Sequence, residues 1–427
     1  MLVVLVLFFG LMAIGLPVGF VIGFAGMIGI LDMGPRFMGM APDRLFAGLD
    51  LFPFLAMPFF ILAGEIMNKS GITLGLVKLA DSLVGWLRGG MAHSNMVASV
   101  LFAGITGSAT ADAAAFGNTL VPAMEKAGYT RRFACAVTAA GSIIGPTIPP
   151  STLAIIYGSI MGVSIAGLFA AGILPGLLIC IICMIVIALL AKRLNLPKGE
   201  TKPSLCSVWA AFKEGWLAAI LPVFILGSIL GGIATPTEAA AIAVGYALFV
   251  GGVVYRALSW NDLYWICVRT TRITGVIFLI IASATILGWW MTFNQVPQLI
   301  AAFFLSVSSD PNVILGMILL LLLLIGLFMD INATLIILAP VLAPLTASIG
   351  MDPVHAGIVI ILALNISLMT PPVGACLFVL ASVTKEKVEA ITSALWPFII
   401  AEFLILIVVA YWPGLTLFIP RLMGLAQ

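Results

Sequence analysis

Apolar runs separated by short polar, glycine or proline stretches occupy residues 1–15, 17–31, 51–68, 91–105, 111–124, 133–163, 166–191, 216–233, 237–255, 273–292, 296–307, 312–328, 331–347, 354–369, 373–383 and 391–412. A helix rises 1.5 Å per residue and needs about 20 apolar residues to cross a hydrocarbon core of about 30 Å, so several runs are too short. Short runs in adjacent pairs have the pattern of helical hairpins that enter a bilayer and return, and 91–124 and 312–347 are two such pairs. Nothing resembles the alternating ten-residue segments of an outer-membrane barrel. The pattern predicts an all-α polytopic membrane protein.

Composition strengthens that expectation. Of 427 residues, 63% are apolar and 8% charged, and the mean hydropathy is +1.25. A soluble domain has about 25% charged residues, so this chain lacks the polar surface of a soluble enzyme. The net charge of +2 says nothing about nucleic acid, because the placement of charge is what matters in a membrane protein. Met1 and the residues after it lack a basic signal-peptide region and read as a first membrane segment. Cys135, Cys180, Cys183, Cys206, Cys267 and Cys376 fall mostly within apolar runs and read as packing residues.

Sliding the chain against itself by 222 positions superposes Gly104 on Gly326, Pro122 on Pro344, Gly128 on Gly350, Pro149-Pro150 on Pro371-Pro372 and Pro175 on Pro397, without a gap. Matched proline and glycine fix backbone breaks at equivalent places, so the chain reads as an internal repeat. The basic residues orient it. With Lys192, Arg193, Lys198 and Lys202 cytoplasmic and both hairpins re-entrant, only Arg36, Arg44 and Arg421 of the 19 basic residues fall outside. The first repeat then holds five crossings, and the odd number predicts that the second is inverted.

Each hairpin has a polar tip, 104–112 in the first and 326–334 in the second, and each is followed by a helix broken at Pro-Pro, over 145–151 and 367–374. Proline removes an N–H and frees the carbonyl four residues back, and unpaired backbone does not face lipid. Tip oxygens together with freed carbonyls suit an alkali cation. Two Na⁺ sites are expected. The first combines Thr106, Ser108 and Thr110 with Gly145, Thr147, Ile148 and Pro150; the second combines Gly326, Met329, Asp330, Asn332 and Thr334 with Ser367, Thr370 and Pro372. Opposite half-helix ends present free N–H groups, which suits an anionic substrate near Ser108, Asp112, Ser151, Asn332 and Gly374. Neither tip nor break contains Arg or Lys, so backbone, hydroxyls, bound cations or an Arg from elsewhere must meet the charge.

Asp112 and Asp330 are acids in apolar surroundings, where function is the default reading. Glu65 and Glu238 stand at helix ends, where capping is as reasonable a role as transport. His93 and His355 flank the hairpins without a carboxylate or cysteine spaced for a metal. No Ser/His or Cys/His arrangement suggests an intramembrane enzyme.

Residues 57–67, 104–112, 145–151, 235–241 (Thr235-Pro-Thr-Glu-Ala-Ala-Ala241) and 370–374 resemble the large membrane subunit of the tripartite ATP-independent periplasmic (TRAP) transporters, within the wider ion-transporter superfamily. The resemblance spans nearly the whole chain. It implies a bacterial inner-membrane, multi-pass elevator transporter that is Na⁺-driven and imports an organic acid such as a C4-dicarboxylate, a sialic or sugar acid, or a keto acid. A periplasmic binding protein would deliver the acid, and a separate small four-helix membrane subunit would complete the scaffold. The implied division is scaffold over 1–68, transport domain over 69–163, scaffold over 164–292 with a cytoplasmic loop near 192–213, transport domain over 293–388, and a scaffold or arm helix over 389–427. Gly107-Ser108-Ala109 departs from the family's commoner Gly-Ser-Ser, which leaves the first site's ligands open. A self-sufficient Na⁺/dicarboxylate symporter would resemble its relatives through Ser-Asn-Thr tips, which are missing from 104–112 and 326–334. A passive channel would ignore a Na⁺ gradient. Arg36, Asp43, Arg44 and Asp50 form a candidate docking face for the binding protein, although solvated loop charge is the commoner meaning of such residues.

Overall fold

The computed structural model describes residues 2–199 and 205–425, so Lys202 lies outside the described residues. Those residues form helices joined by short loops, with no strand. The chain begins with α1 (Leu2–Ala13), α2 (Val18–Met33), α3 (Met40–Leu49), α4 (Ala56–Lys69) and α5 (Ile72–Val84). A hairpin follows, α6 (Gly90–Thr106) and α7 (Ala109–Lys126), then two collinear-sequence halves, α8 (Arg131–Ser142) and α9 (Thr152–Met161), and the long α10 (Ile165–Arg193). Next come α11 (Leu205–Leu230), α12 (Pro236–Leu248), α13 (Trp260–Phe293) and α14 (Val296–Val307). The second hairpin is α15 (Pro311–Gly326) and α16 (Ile331–Ser348); α17 (Pro353–Ser367), α18 (Ala375–Thr384), α19 (Val388–Tyr411) and α20 (Pro413–Leu422) complete the fold.

Helix boundaries follow the offset of 222. Moving α7 by that amount lands on 331–348, the span of α16, and Thr130 and Asp352, the residues that precede α8 and α17, correspond in the same way. The Pro149–Pro150 and Pro371–Pro372 peptide bonds are both cis. The local reasons differ between copies. Ser108 caps α7 by accepting from the Ala111 N–H at 3.5 Å, whereas Asp330 caps α16 by accepting from Asn332 and Ala333 at 2.9 and 3.2 Å. Gly107 takes φ +57 to end α6, a left-handed conformation that costs a side-chain-bearing residue energy.

Packing gives two groups, joined by α5, which lies against both α11 and α6 of the first hairpin. In one, α2, α3 and α4 lie on α13, α12 lies on α4, and α11 lies on α5. In the other, the hairpins and half-helices interlock: α7 meets α18, α16 meets α9, α8 meets α19, and α17 meets α10. Every α17 residue from Val354 to Ser367 is buried, as expected of a helix that is apolar all round. One polar contact bridges the copies at the centre, where the Asn365 side-chain amide donates to the Thr147 hydroxyl at 3.1 Å.

Among the described residues, five helices are long and apolar enough to cross a membrane by themselves: α10, α12 with its π-helical extension to Val254, α13, α16 and α19. The bent pair 35–49 and 52–69 makes a sixth if counted as one. The run at 133–163 is two helices with a break over 143–151, and α16 passes the length test although it belongs to a hairpin, so length alone does not separate hairpin helices from crossings.

Three features depart from the apolar pattern. α3 and α5 are helices where no apolar run was read, and both have one apolar face only. The run at 273–292 is the second half of α13, whose 34 residues extend about 51 Å, about 20 Å more than the hydrocarbon core. Its first half bears charge and starts from a capping box in which Ser259 and Asp262 satisfy each other's backbone N–H groups. Cys135, Cys180, Cys183 and Cys376 are buried and free, but Cys267 is exposed, which corrects its reading as a packing residue.

Candidate functional site

Both tips and both breaks reach a single cavity of about 390 Å³. Thr106, Gly107, Ser108 and Thr110 line it from the first tip, with Pro146 and Thr152 from the break that follows; Asp330 and Asn332 line it from the second tip, with Leu368 from the second break. The facing wall is built by α4 and α13 through Gly64, Glu65, Asn68, Arg272, Ile273 and Val276. The cavity thus lies between the two packing groups.

The first residues of α7, α9, α16 and α18, which are Ala109, Thr152, Ile331 and Ala375, all line this cavity. Each helix start carries about half a positive elementary charge, from N–H groups that have no partner within the helix. Four such ends converge because each hairpin turns, and each broken helix resumes, at the same depth. Carbonyl ends lie among them. A Cβ added to Gly107 would strike the Pro150 carbonyl oxygen, and the Thr152 hydroxyl donates to the Gly107 carbonyl at 3.3 Å.

The residues expected at the first cation site divide by position. Thr106 donates to the Asp112 carboxylate, and the second Asp112 oxygen is fully buried without a hydrogen-bond partner, facing Gly145. Ser108 and Thr110 hydroxyls lie 3.3 Å apart on the cavity wall. The Thr147 hydroxyl turns back to the Ile143 carbonyl at 2.9 Å, and Ile148 points toward Gly176, away from the tip. Ser151 caps α9 and donates to the Pro146 carbonyl at 2.6 Å, so its hydroxyl is engaged within its own break.

In the second copy, Gly326 lies directly against the Ser367 hydroxyl, which donates to the Leu364 carbonyl at 2.6 Å. Thr334 donates to the Asp330 carbonyl at 2.8 Å, and Thr370 to the Ile366 carbonyl at 2.8 Å. Asp330 and Asn332 face the cavity, whereas Met329 lines an apolar groove beside α1. Gly374, at φ +45, immediately precedes α18, and Pro372 is exposed.

Other candidates take more local roles. Glu238 forms a capping box with Thr235 on the surface, accepting from its backbone N–H at 2.8 Å. Glu65 lines the cavity and pairs with Arg269 at 3.2 Å. His355 is buried against Thr416 at 2.7 Å and the Ala410 carbonyl at 3.2 Å, and His93 is buried with Nδ1 unpartnered. Among the described residues no group of three or more His, Cys, Asp or Glu side chains is placed to hold a metal. Arg36 and Arg44 lie over the rings of Phe37 and Trp289, at 4.9 and 5.9 Å from the ring centres.

Two buried polar residues carried no signal that separated them from packing. Asn365 sits in an unbroken apolar stretch, and Glu402 of α19 is fully buried beside Cys183, whose thiol lies 3.7 Å away. Arg272 is a third omission from the site, because it stands in a charged stretch that reads as interfacial.

Comparison with known proteins agrees with this architecture. The fold is similar to the Alcanivorax borkumensis YdaH transporter, with a TM-score of 0.61 over 89% of each chain at 16% identity. The chain is 39% identical to the sialic acid TRAP transporter large permease protein SiaM of Vibrio cholerae, covering 97% of this chain and 96% of SiaM. It is 36% identical to the 2,3-diketo-L-gulonate TRAP transporter large permease protein YiaN of Escherichia coli, covering 96% of each. Residues 5–415 match the family model of the tripartite ATP-independent periplasmic transporter, DctM component, and the chain belongs to that family of transporter permeases.

Proposed function

We propose that this chain is the large permease of a Na⁺-driven importer of an organic acid, and that the cavity between the tips and the α4–α13 wall is where the acid binds. The observation that carries this reading is the convergence of four helix N-termini on one cavity. Their summed dipoles favour an anion in a walled, weakly screened space, and the carbonyls and hydroxyls of the same tips suit Na⁺. The two ions support each other, because Na⁺ at the tips adds positive charge beside the carboxylate.

The acid is of the class named for the relatives, a sialic or sugar acid or a keto acid, or a C4-dicarboxylate. A periplasmic binding protein delivers it, and a small membrane subunit supports the scaffold in the bacterial inner membrane. The hairpins and half-helices form the moving body of an elevator and the α2–α4 and α11–α13 group its support; the cavity at their border supports this division. By packing, α10 and α19 travel with the moving body, since they lie against α8 and α17. The two copies run in opposite directions across the bilayer, a reading supported by the odd number of crossings expected in the first.

The test is uptake into proteoliposomes containing this chain, its small subunit and the loaded binding protein, with N-acetylneuraminate, 2,3-diketo-L-gulonate and succinate as the panel. An inward Na⁺ gradient drives accumulation of one of these acids. Undiminished uptake with Na⁺ replaced by choline refutes the coupling, and uptake that only equilibrates identifies a channel.

A further inference from the structure

The cavity wall opposite the tips holds one basic side chain, Arg272 of α13. Two acids line the same cavity, and both are engaged: Glu65 pairs with Arg269, and Asp330 accepts two backbone N–H groups at the start of α16. Arg272 is exposed and has no carboxylate partner among the described residues. Arg269 and Arg272 are three residues apart and share a helix face, so the first neutralises the acid of α4 and leaves the second for the cavity. Ile273, Val276 and Ile277 continue the wall as apolar surface, which limits screening of a charge beside it.

We propose that Arg272 is a carboxylate-binding, specificity-determining residue, contributed by the scaffold wall to the acid held at the tips. This rests on the reading of the cavity as an organic-acid site. A planar guanidinium presents paired N–H donors that fit a carboxylate, which explains an arginine at this position rather than an unspecified positive charge. Because α13 belongs to the other packing group, the contact exists only when tips and wall face each other as they do here. Arg272 therefore discriminates charged from neutral ligands in this conformation, while the helix ends hold the anion throughout.

The test uses the purified complex of this chain with its small subunit in NaCl, with binding read from the ligand-dependent shift in melting temperature. The probes are N-acetylneuraminate, 2,3-diketo-L-gulonate and succinate, each against the ester in which every carboxylate is methylated. Arg272→Gln weakens the bound acid about tenfold, leaves the ester unchanged and so collapses the preference for acid; Arg272→Lys restores part of it. The melting shift caused by Na⁺ without acid is the same in all three proteins. Equal preference for acid over ester in wild type and Arg272→Gln overturns the assignment, and so does a loss that falls equally on acid and ester, which marks a structural or lipid-binding role. Wild-type protein that binds none of the three acids overturns the reading of the cavity itself, a result distinguishable from both.

Discussion

Gly107 shows how little room the site leaves at single residues. Its φ of +57 and the Pro150 carbonyl against its Cα both require the absence of a side chain. Gly107→Ala is expected to lower stability by about 1–3 kcal/mol and to abolish the melting shift caused by Na⁺, because the first tip moves away from the break that faces it. Thermal melting in NaCl and in choline chloride checks both effects. Asp112 is held to Thr106 by one oxygen and buries the other beside Gly145. A carboxylate oxygen left without a donor in apolar protein is costly unless something positive reaches it, which is at odds with the expectation of Asp112 beside an anionic substrate. Asn365 joins the two copies through Thr147, yet the sequence around it is an apolar helix in which one amide looks like any other packing choice.

At the scale of elements, the breaks were the legible part. Glycine and proline constrain backbone wherever they stand, so tips at 104–112 and 326–334 and breaks at 145–151 and 367–374 could be located from residue type alone. Short amphipathic helices were not legible. α3 and α5 interleave polar residues with apolar ones, so a search for apolar runs passes over both. The apolar run of α13 begins only after its charged first half, which leaves Arg272 outside that run. Side-chain engagement also stayed out of reach: Ser151 is in the expected place, but its hydroxyl is committed to capping α9 and to the Pro146 carbonyl. Glu238 illustrates the reverse, an acid in a family motif whose contacts in the fold are those of a capping box. Thr235→Ala is expected to cost about 1 kcal/mol of stability, measured by melting, while Na⁺-dependent uptake per folded molecule stays at the wild-type level. Uptake lost in parallel with an unchanged melting temperature would assign the motif to transport instead.

For the whole molecule, the arrangement explains why so apolar a chain keeps polar groups at its centre. Two hairpins and two broken helices each leave backbone ends without helical partners, and lipid satisfies none of them. Interlocking the copies, with α7 against α18 and α16 against α9, brings the starts of α7, α9, α16 and α18 to one cavity. The flanking group of α2, α3, α4, α11, α12 and α13 then supplies the opposite wall. The most direct measurement is a density map of the complex of this chain and its small subunit, prepared with Na⁺ and the panel acid that the uptake assay identifies. Density for the acid is predicted in the cavity bounded by Ala109, Thr152, Ile331 and Ala375, with its carboxylate toward the four helix ends. An acid seated elsewhere, such as in the groove between α1 and the second hairpin, or tips that separate when it binds, would contradict the account.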